Sequence, residues 1–472
     1  MRNVVGLALC VVACGGGGSN KAHPDGKATD APADAWVPDP LDGTSGTRLK
    51  LVRYLTSDGA SEVIDVHDAQ LDFDCEITPW ADGNFYCAPP VVGLSVVFSD
   101  GACAMPVLVR GHDTTTPPAY GVAFASISAC PSNELVGTHV YTRGSSVAVT
   151  QVFTIDDTGS CVASPATGLD IYSATEVPIG NLAAVSLGAP TGTGQIRTRT
   201  YSGADGFSLF ALGHDNTLGV DCDVATYRSS SECDPVVPMV AGFKDPGCST
   251  PVAAQPSSCQ EAVAAVNPHV SCPDVPPTFT ALGITTTSLY ESEGTCTATA
   301  IPPDTAIYVL GGNQVVPTTL QRTTETVAGR RLQAIRVGLA DFAIHDYTFY
   351  DTMMQTNCSF VTQVNGTIEC LPGTGSVVSL YSDASCGTPI DILQLNIGPT
   401  GCPAVTVPNF DYKVLPSQML EVHAIGSVHT GALYTGSPGS CTLADTSIFA
   451  YYDAPTIVSD SEFVQATRIV DP

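Results

Sequence analysis

Thiols, imidazoles and clustered carboxylates are the groups through which this sequence could do chemistry, and the thiols are the most regularly placed. Of its 18 cysteines, Cys10 and Cys14 lie in an apolar run near the N-terminus. The others recur in three sets: Cys75, Cys87, Cys103, Cys130 and Cys161; then Cys222, Cys233, Cys248, Cys259, Cys272 and Cys296; then Cys358, Cys370, Cys386, Cys402 and Cys441. First-to-second spacing is 12, 11 and 12, and second-to-third spacing is 16, 15 and 16. There is no C-x-x-C knuckle, so zinc–thiolate chemistry is not expected. No metal or other cofactor is assigned. In an oxidising compartment such thiols pair. The short loops predict Cys75–Cys87, Cys222–Cys233 and Cys358–Cys370. The complete middle set suggests Cys248–Cys259 and Cys272–Cys296. Each five-member set leaves one thiol over unless the sets pair with each other.

The imidazoles and acids offer less. His67-Asp68 and His214-Asp215 hold equivalent places, and Tyr350-Asp351 replaces them in the third set. Adjacent strand residues face opposite ways, so these pairs do not form dyads. Each Asp reads as a turn residue bonding nearby backbone N–H groups. Asp72, Asp74 and Glu76 flank Cys75, and Asp221 and Asp223 flank Cys222, an oxygen-rich pattern that calcium could use. The third set has Thr356, Asn357 and Ser359 there, so an acidic edge that discourages sheet-to-sheet association is the preferred reading. His345-Asp346 has no counterpart and reads as a surface turn. H-E-x-x-H, G-x-S-x-G and the phosphate-loop pattern do not occur. No catalytic residue is assigned.

The elements that must position these groups repeat with the cysteines. Asp58, Asp205 and Asp341 lie seventeen residues before the first cysteine of each set, and Asp68, Asp215 and Asp351 lie seven before it. Pro106, Pro251 and Pro389 follow the third cysteine by three. Such self-similarity predicts three tandem units of about 140 residues, at 47–195, 196–329 and 330–472. Short alternating segments such as Leu94, Val96 and Phe98 are bounded by Asp-Gly and Asn-Gly turns, and no sustained 3.6-residue period appears. The best helical patch is Gln260–Val266. The class is all-β. The preferred architecture is propeller-like and closed, with three separate trefoil-like or barrel-like domains in a row as the alternative.

Charge and the N-terminus bear on location. In 472 residues, 46 acidic side chains face 18 basic ones, a net charge of −28. This excludes a nucleic-acid partner, whose phosphates need basic patches. Residues 1–13 read as a signal peptide ending Val11-Val12-Ala13, followed by Cys14 as the lipid-accepting residue. Residues 14–46 then read as the lipidated cysteine and a disordered Gly/Ala/Asp/Pro tether.

The Val-Val-Ala-Cys start, the acidic tether and units such as DVHDAQLDFDCEITPWADGNFYCAPP and FYDTMMQTNCSFVTQVNGTIECLP resemble predicted lipoproteins of myxobacteria and related bacteria. That resemblance implies lipid anchoring in the outer membrane and supplies no activity. The expectation is a non-enzymatic binding or scaffold protein of the envelope, with a protein or polysaccharide partner. The alternative is a glycan hydrolase, which would need paired carboxylates in one pocket.

Overall fold

The computed structural model describes residues 40–472 except 91–93, 113–115, 129–132, 157–158, 228–229, 239, 260–263, 268–277, 293–294, 399–401 and 403. The expected signal segment, Cys14, most of the tether, Cys130 and Cys272 lie outside the described residues. The described chain is all-β. Its only helical pieces are single 3-10 turns at Pro40–Asp42, Ile179–Asn181 and Asp460–Glu462. The expected helical patch is replaced in part by the strand Ala264–Asn267, which pairs with Thr278–Thr286. A helical pattern of only a few residues yields easily to a neighbouring strand edge.

One antiparallel ladder organises the molecule. Leu49–Thr56, Ser61–Asp68, Phe73–Pro79 and Phe85–Ala88 form a meander that Ala183–Leu187 joins to the next. Ile196–Gly203, Ser208–Asp215, Val220–Thr226 and Ser231–Pro235 follow, then Thr318–Thr324. Leu332–Leu339, Phe342–Asp351, Thr356–Thr362 and Ile368–Pro372 complete the series. Gln465–Val470 pairs with both Ile368–Pro372 and Leu49–Thr56, so the ladder returns to its start. Closure is thus by edge-to-edge hydrogen bonding, and not by the side-chain packing between blades that a propeller uses.

The registers recur. Leu49, Ile196 and Leu332 stand opposite Asp68, Asp215 and Asp351, and each long hairpin carries one register shift, at Val52/Arg53, Arg199/Thr200 and Ala334/Ile335. Val66, Gly213 and Phe349 stand opposite Cys75, Cys222 and Cys358. All fifteen joints are antiparallel, and an odd number cannot close round straight strands, because each joint reverses direction. Strands that change partner along their length resolve this. Phe73–Pro79 gives its first residues to the preceding strand and its last to the following one. A strand that bends at such a point re-aims its neighbours, as bulges also do.

The chain leaves the ladder to build side sheets. One places Cys161–Pro165, Gln151–Ile155, Ser95–Phe98, Pro106–Gly111, Leu169–Val177, Asn133–Ser146 and Tyr120–Ser128 edge to edge. A second follows the same order in reverse listing, from Ala264–Asn267 to Cys296–Ala298. The third region is split into a five-stranded sheet and a separate three-stranded sheet, Phe410–Val414, Leu420–Ala424 and Thr456–Ile457. Trp80 ties the first side sheet to the ladder: it is buried, and its ring fills the space that a side chain at Gly137 would need. Its cluster joins Leu49, Leu51, Val66 and the Cys75–Cys87 sulfurs to Val122 and Val140 of the side sheet.

Candidate functional site

Disulfides brace both levels. Cys75–Cys87, Cys222–Cys233 and Cys358–Cys370 cross-link neighbouring ladder strands. Cys103–Cys161, Cys248–Cys296 and Cys386–Cys441 each tie a tight turn to an outer strand of a side sheet. The suggested Cys248–Cys259 and Cys272–Cys296 pairs are therefore corrected. Cys248 sits at φ 47°, in a turn held by Asp245, and its sulfur meets the outer strand that starts at Cys296. Cys259 and Cys402 are also disulfide-bonded, so Cys402 is not the thiol that the five-member third set left over.

The recurrent acids turn out to be structural, and some act across long distances. Asp68, Asp215 and Asp351 are buried, and each accepts the backbone N–H groups two and three residues ahead. Arg48 and Arg331 add charge-assisted bonds to Asp68 and Asp351. Asp205 accepts the N–H of Arg48 at 2.8 Å and of Leu49 at 2.7 Å. Asp58 likewise accepts the N–H of Arg331 at 2.8 Å. Partial burial acts upward on both carboxyls, but these hydrogen bonds outweigh it and hold them below the usual carboxylate range. A side chain at Gly194 would collide with the Asp341 carboxylate, so the third of these acids also sits at the entry to another hairpin.

His67 and His214 bond across the strand, to Asp74 at 3.0 Å and Asp221 at 2.8 Å, and not to their sequence neighbours. Arg468 and Arg199 pair with the same two acids. The proposed acidic edge is therefore partly neutralised by cations from neighbouring strands.

A cavity of about 460 Å³ lies between the turn Gly59–Ser61, the loop carrying Glu325 and Arg330, and the hairpin carrying Arg336 and His345. Asp42, on the 3-10 turn Pro40–Asp42, closes one side. Its apolar floor of Ala60, Leu332, Ala334 and Phe349 packs on the Cys358–Cys370 bridge. Arg336 donates to Glu325 at 2.7 Å. His345 Nε2 lies 3.2 Å from Asp42, whose carboxylate also holds the fully buried Arg53. Arg53 reaches Asp471 with its Nε at 3.0 Å, linking the two ends of the described chain. The expected surface turn at His345-Asp346 is thus corrected: both residues lie on the strand Phe342–Asp351, paired with Asp42 and Arg322.

Behind the cavity, burial together with the charges of Asp346 and Asp42 pushes the Glu62 carboxyl up to about 8. Glu62 Oε2 has no hydrogen-bond partner. Glu62 does not line the cavity. What the cavity itself offers is acceptors and donors side by side over an apolar floor, a lining that suits a polyhydroxyl or zwitterionic guest.

Sequence reasoning passed over Arg53 and Glu62. Arg53 has one local signal, a charge between Val52 and Tyr54 on a largely apolar strand; Glu62, between Ser61 and Val63, has less.

A family model described as a family of unknown function, DUF7481, matches residues 28–450. No curated protein and no solved structure matches the chain.

Proposed function

The chain belongs to DUF7481, a family of unknown function, and from that premise we propose that it is a non-enzymatic binding or scaffold protein of the bacterial cell envelope. Its ladder is built from three copies of one unit, at 47–195, 196–329 and 330–472, each contributing five ladder strands, at least two bridges and one or two side sheets. The carrying observation is the recurrence of one register and one pair of cross-links at all three places. Six or more disulfides favour an extracytoplasmic location. Residues 1–13 act as the export signal, and lipid on Cys14 anchors the chain in the outer membrane through the tether. Tandem units present several related faces to one envelope partner, so modest contacts add up. The cavity takes a polyhydroxyl group of a polysaccharide partner.

Two measurements test this. Mass spectrometry of the unreduced chain from the membrane fraction is expected to show acyl groups on Cys14; an unmodified chain in the culture fluid overturns the anchor. Retention of the chain on envelope polysaccharide is expected to fall at least about tenfold in Arg336→Ala. Equal retention of both proteins, or of neither, overturns the cavity as the site.

A further inference from the structure

We propose that the guest of the 460 Å³ cavity is an acidic sugar, a pyranose whose carboxylate is held by Arg330. This rests on the reading of the cavity as a polysaccharide site and adds the charge of the sugar.

The cavity exists because one side chain is small. Leu49 and the Cys75–Cys87 bridge share a buried cluster with Phe207, which arrives from the second long hairpin. Ile196 and the Cys222–Cys233 bridge share one with Phe342, which arrives from the third. Leu332 and the Cys358–Cys370 bridge share theirs with Ala60, which arrives from the first. Two joints of the ladder are thus filled by a phenyl ring, and the joint that is not filled carries the cavity. The loops differ in the same sense. Thr44 and Ser208 exchange two backbone hydrogen bonds. Their counterparts by register, Val327 and Ser61, both line the cavity. A space left where the fold elsewhere packs an aromatic ring costs stability unless something occupies it.

Arg330 says what kind of group comes. It is half-buried on the cavity wall. Its neighbour Arg331 is bound to Asp351, and Arg336 across the cavity is bound to Glu325. Arg330 has no acid in ion-pair reach among the described residues. In a chain with 46 acids and 18 bases, an arginine without an acid is conspicuous. The same register position is held by the uncharged Thr47 and Gly194 before the other two hairpins. The backbone that carries Arg330 is pinned from inside. Buried Gln333 donates Nε2 to the carbonyl oxygens of Val327 and Arg330 and accepts the N–H of Val327. Lys50 and Arg197 take the place of Gln333 in the other hairpins, so this brace also occurs once.

The apolar floor suits the C–H face of a pyranose, Glu325 and Ser61 suit its hydroxyls, and the planar guanidinium suits a carboxylate. The net charge of −28 repels an acid at long range, so recognition of the carboxylate has to be local.

The test is calorimetric titration of the full chain, disulfides intact, with trigalacturonate and with its methyl ester, which keeps the rings and removes the charge. The ester is expected to bind at least about tenfold more weakly. Arg330→Gln is expected to bring the acid down to the affinity of the ester and to leave the ester unchanged. Ala60→Phe, which installs the residue found at Phe207, is expected to abolish binding of both with no loss of Tm. Equal binding of acid and ester, or an Arg330→Gln variant that binds the acid as wild type does, overturns the carboxylate and leaves the cavity reading standing. N-acetylglutamate bound as tightly as trigalacturonate overturns the sugar. Binding of neither saccharide, or binding that Ala60→Phe leaves intact, overturns this inference and the cavity reading together.

Discussion

At the residue scale, the acids divide by what surrounds them. Asp58 and Asp205 are held low by N–H donors, so the stability they contribute is present above their unfolded pKa and is lost as pH falls through the folded value. Glu62 runs the other way. Its folded pKa of about 8 exceeds the ordinary carboxyl value of 4.5, so the unfolded chain ionises first and stability declines as pH rises between the two. Burial likewise pushes Asp65 up to about 7. Each group costs at most about 1.4 kcal/mol per pH unit over its window. Glu62→Gln is therefore expected to gain at least about 1 kcal/mol over wild type at pH 8 and nothing at pH 4, read from urea midpoints at both pH values. Asp205→Ala strands the N–H groups of Arg48 and Leu49 and is expected to cost about 2 kcal/mol. Asp82→Ala, at an exposed turn, is expected to cost well under half of that. The type of each Asp was legible from its turn. Its partner was not, because Asp205 lies 157 residues from Arg48 and Asp58 lies 273 from Arg331.

At the scale of elements, cysteine spacing located the ladder hairpins because a loop of a dozen residues leaves little choice of partner. It misplaced Cys248 because the nearest thiol in sequence is not the nearest in a sheet whose outer strand arrives 48 residues later. The strand pattern also hid which face is inside. Val96 and Val97 pack into different clusters, so side-sheet strands are covered on both faces and alternation carries little information. Loop length sets the expected ranking of the bridges. Replacing Cys103 and Cys161 by Ala opens a span of 58 residues and is expected to cost about 4 kcal/mol, against about 3 for the 12-residue Cys75–Cys87 loop. Denaturant midpoints of the two double variants check the order.

At the scale of the whole molecule, the sequence suggested a closed architecture but not the strands that make the closure. The sequence shows three similar cysteine sets, but nothing local says that Gln465–Val470 finds Leu49–Thr56. That pairing spans almost the whole chain, which makes it slow to form and necessary for a single cooperative transition. Deleting 465–472 leaves two strand edges bare and removes Asp471 from the buried Arg53. The expected outcome is loss of cooperative unfolding together with self-association, seen by calorimetry and by size-exclusion chromatography.

The Arg53 guanidinium, gripped by Asp42 from one side and Asp471 from the other, gives the fold an unexpected topological freedom. Where the two ends of the described chain are stitched together by one side chain, the gap between Asp471 and Asp42 is only one of several places where the ladder could be cut. A permuted gene that joins Pro472 to Pro40 through a short linker, and opens instead at the loop holding Gly192, should yield the same molecule with its start and finish moved a third of the way round.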